Sequence, residues 1–181
     1  MPIPLDDVTR ALTAPAQDPL HAIAAQLSSP GVNMGILAAL RRFNPVSDGQ
    51  HNVFEVQQVL LGADIDLPAS SPAQAHWALV VHCLAIVRGA HHAQRDTGAR
   101  LADLGLSEAR VRQLIEADAA LLVDLLPALA RRLAAAGVTL NWWPLALLVL
   151  SLVDAEPARG QGARREIAQG FIRATAAKAS T

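Results

Sequence analysis

Arg88, His91, His92, Arg95, Arg100, Arg110 and Arg112 crowd into one short stretch of the sequence. A guanidinium is planar and permanently charged, and its fork of donors matches a phosphate or a carboxylate with two parallel hydrogen bonds. A run of this kind is chemistry for holding anions rather than for making or breaking bonds. His91-His92-x-x-x-Asp96 also invites a metal reading, because residues four apart share a helix face. Zinc takes three or four ligands, however. His76, His82 and Asp103 would have to be recruited, and His76 and His82 fall in an apolar run where core positions are expected, so no metal and no cofactor are expected.

Other sources of catalysis are missing from the sequence. It contains no glycine-rich phosphate loop, no CxxC pair and no nucleophile elbow. Asp64 and Asp66 lie in a polar loop and read as solvated. Cys83 is the single cysteine, so no disulfide can form within the chain. These residues give no argument for an enzyme. A different binding reading comes from LADLGLSEARVRQLIEAD, within residues 99–118, which has the form of a helix-turn-helix with Arg110, Arg112 and Gln113 near the start of its second helix. It makes a DNA-binding transcription regulator the competing class. The Trp142-Trp143 pair could stack on bases, but its apolar surroundings favour a place in the core.

The element that must position the basic stretch precedes it. From Pro72 to about His92 the sequence reads as one long helix, with Ser71 as N-cap and Pro72 at the first helical position. Trp77, Leu79, Val80, Val81, Cys83, Leu84, Ile86 and Val87 make it apolar on nearly all faces, the pattern of a rod buried inside a bundle. Before it, helices are expected from Asp18-Pro19 to about Leu27, over MGILAALRRF behind an Asn33 cap, and over VFEVQQVLLGA, with SDGQHN as a turn and DIDLPASSP as a loop. The second of these ends in Arg41-Arg42, a pair that also suits a helix C-terminus. After the basic stretch, Gly105 ends a short helix and Ser107 caps the next, which is expected to run to Gly137 with bends near Asp118 and Pro127. TLNWWPLALLVLSLVD follows, with Asn141 as a cap. EPARGQG reads as a loop, and ARREIAQGFIRATAAK as a last amphipathic helix with Ile167, Phe171 and Ile172 inward and Arg164, Arg165 and Arg173 outward. Trp77 and Trp143 are expected to be largely buried.

No segment alternates with period two, so the fold expected is all-α, a bundle of about eight or nine helices. Residues 1–96 would form an N-terminal half and 97–181 a C-terminal half, packed as one unit. The composition, 52% apolar and 17% charged with no tyrosine, supports a helical core rather than sheets. A net charge of −1 excludes a general polyanion binder. Arginine supplies every basic side chain except Lys178, a bias that a GC-rich genome or bidentate anion binding would each produce. MPIPLDDV lacks the pattern of a signal peptide, and Leu145–Val153 is too short to span a bilayer. A cytoplasmic protein is expected.

The residues also resemble a known family. Leu40–Arg42 end a helix near the N-terminus, followed by W-x-L…H, matched at Trp77 and His92. Next come G-x-x-LA-x-x-G-x-SE-x-R-x-x-x-L from Gly98 to Leu114, LAR-x-LA from Leu129, NWWPL from Asn141, and R-R-x-I-A-x-x-F from Arg164 to Phe171. In that order, over about residues 36–175, they resemble the CasB family, the small subunit of the type I-E CRISPR surveillance complex, Cascade. The resemblance implies an all-helical protein that does no chemistry. It implies partners too: the backbone and large subunits of Cascade, a second copy of itself, CRISPR RNA and target DNA within the complex, and no membrane. It carries over as strand-holding candidates Arg41, Arg42, Arg88, His92, Arg95, Arg100 and Arg110. Glu116 stands where the family can be basic, and residues 45–71 match none of the family pattern.

Overall fold

Short polar side chains divide this chain into helices. Asn33 Oδ1 accepts from the Gly35 N–H at 2.9 Å, Ser70 Oγ from Ala73 N–H at 3.3 Å, Asp96 Oδ1 from Ala99 N–H at 2.9 Å, Ser107 Oγ from Arg110 N–H at 3.4 Å, and Asp118 Oδ1 from Leu121 N–H at 2.9 Å. Each satisfies a backbone donor that the first helical turn leaves unpaired. The computed structural model describes residues 19–42, 53–66, 70–152 and 157–180. Among the described residues there are nine α-helices: α1 Pro19–Ser28, α2 Met34–Arg42, α3 Val53–Gly62, α4 Ser71–Ile86, α5 Thr97–Asp103, α6 Glu108–Glu116, α7 Ala119–Ala136, α8 Trp143–Leu150 and α9 Pro157–Ala179. The fold is all-α, and an isolated parallel bridge pairs His91 with Leu140.

The apolar rod α4 is the centre. It packs against α1, α2 and α3 on one side and against α7 and α8 on the other. Leu79, Val80, Val81, Cys83, Leu84 and Ala85 are buried in succession, which is why the helix has no polar face. Burying a leucine or valine contributes about 1.5–3 kcal/mol, so this run alone accounts for a large part of the core. His82 is also fully buried, and its Nδ1–H donates to the Leu40 carbonyl at 2.6 Å, tying α4 to α2. Burial lowers the His82 pKa and so favours the neutral ring; the Leu40 bond opposes this and the Arg131 charge adds to it. Burial also pushes the Cys83 thiol far up, leaving it unreactive.

The second packing centre is α9 against α5. A Cβ at Gly98 would collide with the Ile167 carbonyl oxygen and the Phe171 amide, and one at Gly170 with the Asp96 carboxylate. Gly98 lacks a side chain because the two backbones meet there, and Gly170 because the Asp96 carboxylate occupies the space.

Several local expectations change. The rod starts one residue earlier, with Ser70 as its cap, and ends at Ile86 rather than near His92. Its 16 residues span about 24 Å at 1.5 Å per residue. His91 and His92 are consequently not helical, and the shared helix face invoked for a metal does not exist. The helix from Ser107 to Gly137 is two helices, because Ala117 is extended and Asp118 restarts the chain as a new cap. Pro157–Gly162, expected as loop, is the beginning of α9. Ile172 is 62% exposed, so it does not join the core. Trp142 is the buried indole, while Trp77 and Trp143 are only partly buried. Arg164, expected outward, is half-buried and donates to the Ile115 carbonyl at 2.7 Å. Residues 1–18, the SDGQHN turn and part of the 64–72 loop lie outside the described residues. No helix among the described residues is long and apolar enough to cross a membrane.

Candidate nucleic-acid interface

Four helices end in the same way, and one of them breaks the usual rule. In each, a residue just past the helix takes a left-handed backbone, and two amides turn back to the last carbonyls. At the end of α5 the left-handed residue is Gly105, with Leu106 N–H on Leu101 O. At the end of α7 it is Gly137, with Val138 N–H on Leu133 O. At the end of α3 it is Asp64, a residue type that tolerates the conformation. At the end of α4 it is Arg88, with φ 51°. Arg88 N–H reaches Ala85 O at 3.1 Å and Gly89 N–H reaches Leu84 O at 2.8 Å, the pair of bonds that defines a Schellman cap. Glycine is the ordinary occupant, because a Cβ there costs roughly 1–2 kcal/mol. The arginine is therefore held in a strained position, with its side chain exposed.

The surroundings over-determine that turn. Gly89 is left-handed as well, and a Cβ on it would strike the Ala24 carbonyl oxygen, so α1 presses directly on the turn. Arg41 Nε donates to Ala85 O at 2.9 Å and its Nη2 to Ile86 O at 3.2 Å, satisfying carbonyls at the end of the rod. The next residues are clamped by the segment before α8. His92 N–H donates to Leu140 O at 3.0 Å, Asn141 N–H to Arg95 O at 3.3 Å, Trp142 N–H to His91 Nδ1 at 3.1 Å, and Thr97 Oγ1 to Asn141 O at 2.6 Å. The result is a fixed loop from Val87 to Asp96 that carries Arg88, His92 and Arg95 as exposed side chains.

Among the described residues, Arg88, Arg95 and Arg110 make no ion pair. Asp96, next to Arg95 in sequence, is engaged elsewhere: it caps α5 and faces Arg173 at 3.6 Å. Burial and the nearby Asp96 charge raise the Glu166 pKa. The carboxylates of this region are thus spent on α5 and α9, and the charge of the loop is left to solvent.

The sequence candidates divide accordingly. Arg88, His92 and Arg95 share the loop. Arg41 is brought to its base, but as a cap on α4. Arg42 donates to Ala38 O of its own helix at 3.2 Å. Arg100 pairs with Asp103 at 3.2 Å, and Asp103 also takes Lys178 at 3.0 Å. Arg110 stands apart on α6, lining a cavity of about 120 Å³ with Arg132 of α7. Sequence reasoning passed over Arg132, which donates to Leu104 O at 2.9 Å, and over Leu140, and it gave Asn141 only as a cap, although Leu140 and Asn141 both hold the loop through backbone groups that no residue type announces. Among the described residues no cluster of His, Cys, Asp and Glu is arranged to hold a metal ion. The loop can dock phosphates: it presents fixed cations, and phosphate contacts position a strand without selecting its sequence.

A family model described as CRISPR-associated protein Cse2 matches residues 36–171. No curated protein and no solved structure matches the chain.

Proposed function

The chain belongs to the Cse2 family of CRISPR-associated proteins, Cascade small subunits, and from that premise we propose that it is a non-catalytic subunit that steadies a DNA strand of the R-loop in the cytoplasm. The observation that carries this reading is Arg88 in a position where glycine would be more stable, exposed and, among the described residues, without an ion pair. Strain of that kind is retained where the side chain serves something other than folding. Arg88 and Arg95, with His92 between them, are the primary phosphate contacts. Arg42 extends the track, and Arg100 joins it by exchanging Asp103 for a phosphate, since an exposed pair of this sort contributes only about 0.2–1 kcal/mol. Arg41 supports the loop rather than the strand.

Family membership supplies the rest of the proposal. The subunit packs along the backbone subunits, touches the large subunit and a second copy of itself, and works beside CRISPR RNA. The halves 1–96 and 97–181 act as one rigid unit that fixes the loop. So few cations bind nucleic acid weakly by themselves, but neighbouring subunits raise the local strand concentration and remove the need for intrinsic affinity. The transcription-regulator reading has no support from the family match. The test is R-loop lifetime in complexes assembled with wild-type subunit or with Arg88→Ala/Arg95→Ala. The lifetime should shorten at unchanged subunit occupancy, whereas an unchanged lifetime rejects the strand role.

A further inference from the structure

The cavity between α6 and α7 lies apart from the loop and has a different character. Its floor is Leu106, Leu114, Leu125 and Leu129, and two guanidiniums, Arg110 and Arg132, stand at its edge. At about 120 Å³ it is close to the size of a cavity that takes one benzene ring, roughly 150 Å³, and well short of a cofactor site. It holds a single apolar side chain. Among the described residues no aromatic side chain lines it, so these offer no platform on which a nucleobase would stack. The apolar surface continues outward along α7, because Leu121 lies one turn before Leu125 and is 36% exposed.

The charges identify the occupant. Arg112, on the same helix, is paired with Glu108 at 2.8 Å, while Arg110 has no carboxylate partner among the described residues. Arg132 is anchored by the Leu104 carbonyl and stays at the edge of the cavity. A leucine-lined pocket beside an unmatched guanidinium complements an apolar group carrying a carboxylate a few ångströms away.

We propose that this cavity is the docking site for a protein segment of a neighbouring Cascade subunit, in which a leucine-, isoleucine- or phenylalanine-type side chain fills the pocket and an Asp or Glu within two residues of it pairs with Arg110. The identity of the neighbour as a protein rests on membership of the complex; the site and its chemistry rest on the cavity. Arg110 is then a partner contact rather than the end of the strand track.

The test uses the assembled complex without target DNA. A photo-crosslinking benzoylphenylalanine is placed at Gln113, an exposed lining residue, and the cross-linked peptide is mapped. A cross-link to an apolar-acidic segment of another subunit supports the proposal; a cross-link to RNA, or none, overturns it. In parallel, Ala128→Trp fills the pocket from an exposed lining position, and Arg110→Glu reverses the rim charge. Each should lower subunit incorporation by about tenfold or more, while Arg88→Ala/Arg95→Ala leaves incorporation unchanged. Normal incorporation of Arg110→Glu contradicts the proposal even if Ala128→Trp fails to fold. Because incorporation and R-loop lifetime are read separately, loss of the strand reading would not conceal the outcome at the cavity.

Discussion

The Arg41 guanidinium closes on the Ala85 carbonyl oxygen at 2.9 Å, so a side chain that looks like part of a cationic surface in the sequence is instead a cap on the central rod. The rod ends at Ile86, where its carbonyls are satisfied, and the loop proposed to face phosphate begins at Val87. Arg41→Ala should cost about 1–2 kcal/mol of stability through loss of these charge-assisted bonds. Chemical denaturation of the free subunit measures this. The salt dependence of strand binding in the complex should stay as in the wild type, apart from any effect of reduced folding.

Arg88→Gly should act in the opposite sense. Relief of the left-handed strain outweighs the greater freedom of an unfolded glycine, for a gain of about 0.5–1 kcal/mol. The same change removes a cation from the loop and should shorten R-loop lifetime. A variant that is more stable and less functional separates the two roles of the position, and a destabilised Arg88→Gly would remove the strain argument.

His82 makes stability depend on pH. Its folded-state pKa is lowered, chiefly by burial, so below the unfolded value of about 6.5 the unfolded chain takes up a proton that the folded chain resists. Stability should be full above that value, fall as the pH drops from there, and go on falling until the pH passes the folded pKa. Denaturation series from pH 5 to 8 on the wild type and His82→Gln check this; the part of the slope that His82 causes should vanish in the variant.

Trp142→Ala should cost on the order of 3–5 kcal/mol, because Trp142 is 3% exposed and packs in the core. Trp77→Ala and Trp143→Ala should cost less, since both indoles are only partly buried. Thermal melts of the three variants give the order directly.

The helical architecture was readable because its signals are local. Asn33 and Ser107 mark helix starts by their own chemistry, and leucine spacing marks buried faces. The failures have one physical cause: the deciding partner lies far away in sequence. Trp142 and Trp143 are indistinguishable as neighbours, and only the packing of α8 buries one of them. Ile172 sits beside the buried Phe171 in a favourable pattern, yet no helix covers it. At the end of the rod Arg41 takes the last carbonyls and Ala24 presses on Gly89, and neither is visible from residues 86–92. Among the basic candidates, Arg88 and Arg95 were legible as charges, but their lack of a carboxylate partner among the described residues was not. That depended on Asp96 turning to Arg173 and on Asp103 turning to Arg100 and Lys178.

The most direct test of the strand-holding account is the salt dependence of R-loop stability in complexes carrying wild-type or Arg88→Ala/Arg95→Ala subunit. Each lost phosphate contact lowers the slope of log K against log salt by roughly 0.7–0.9, so the double variant should show a slope smaller by about 1.4–1.8. The loss should be alike for different target sequences, at normal subunit occupancy. An unchanged slope at normal occupancy would contradict the account.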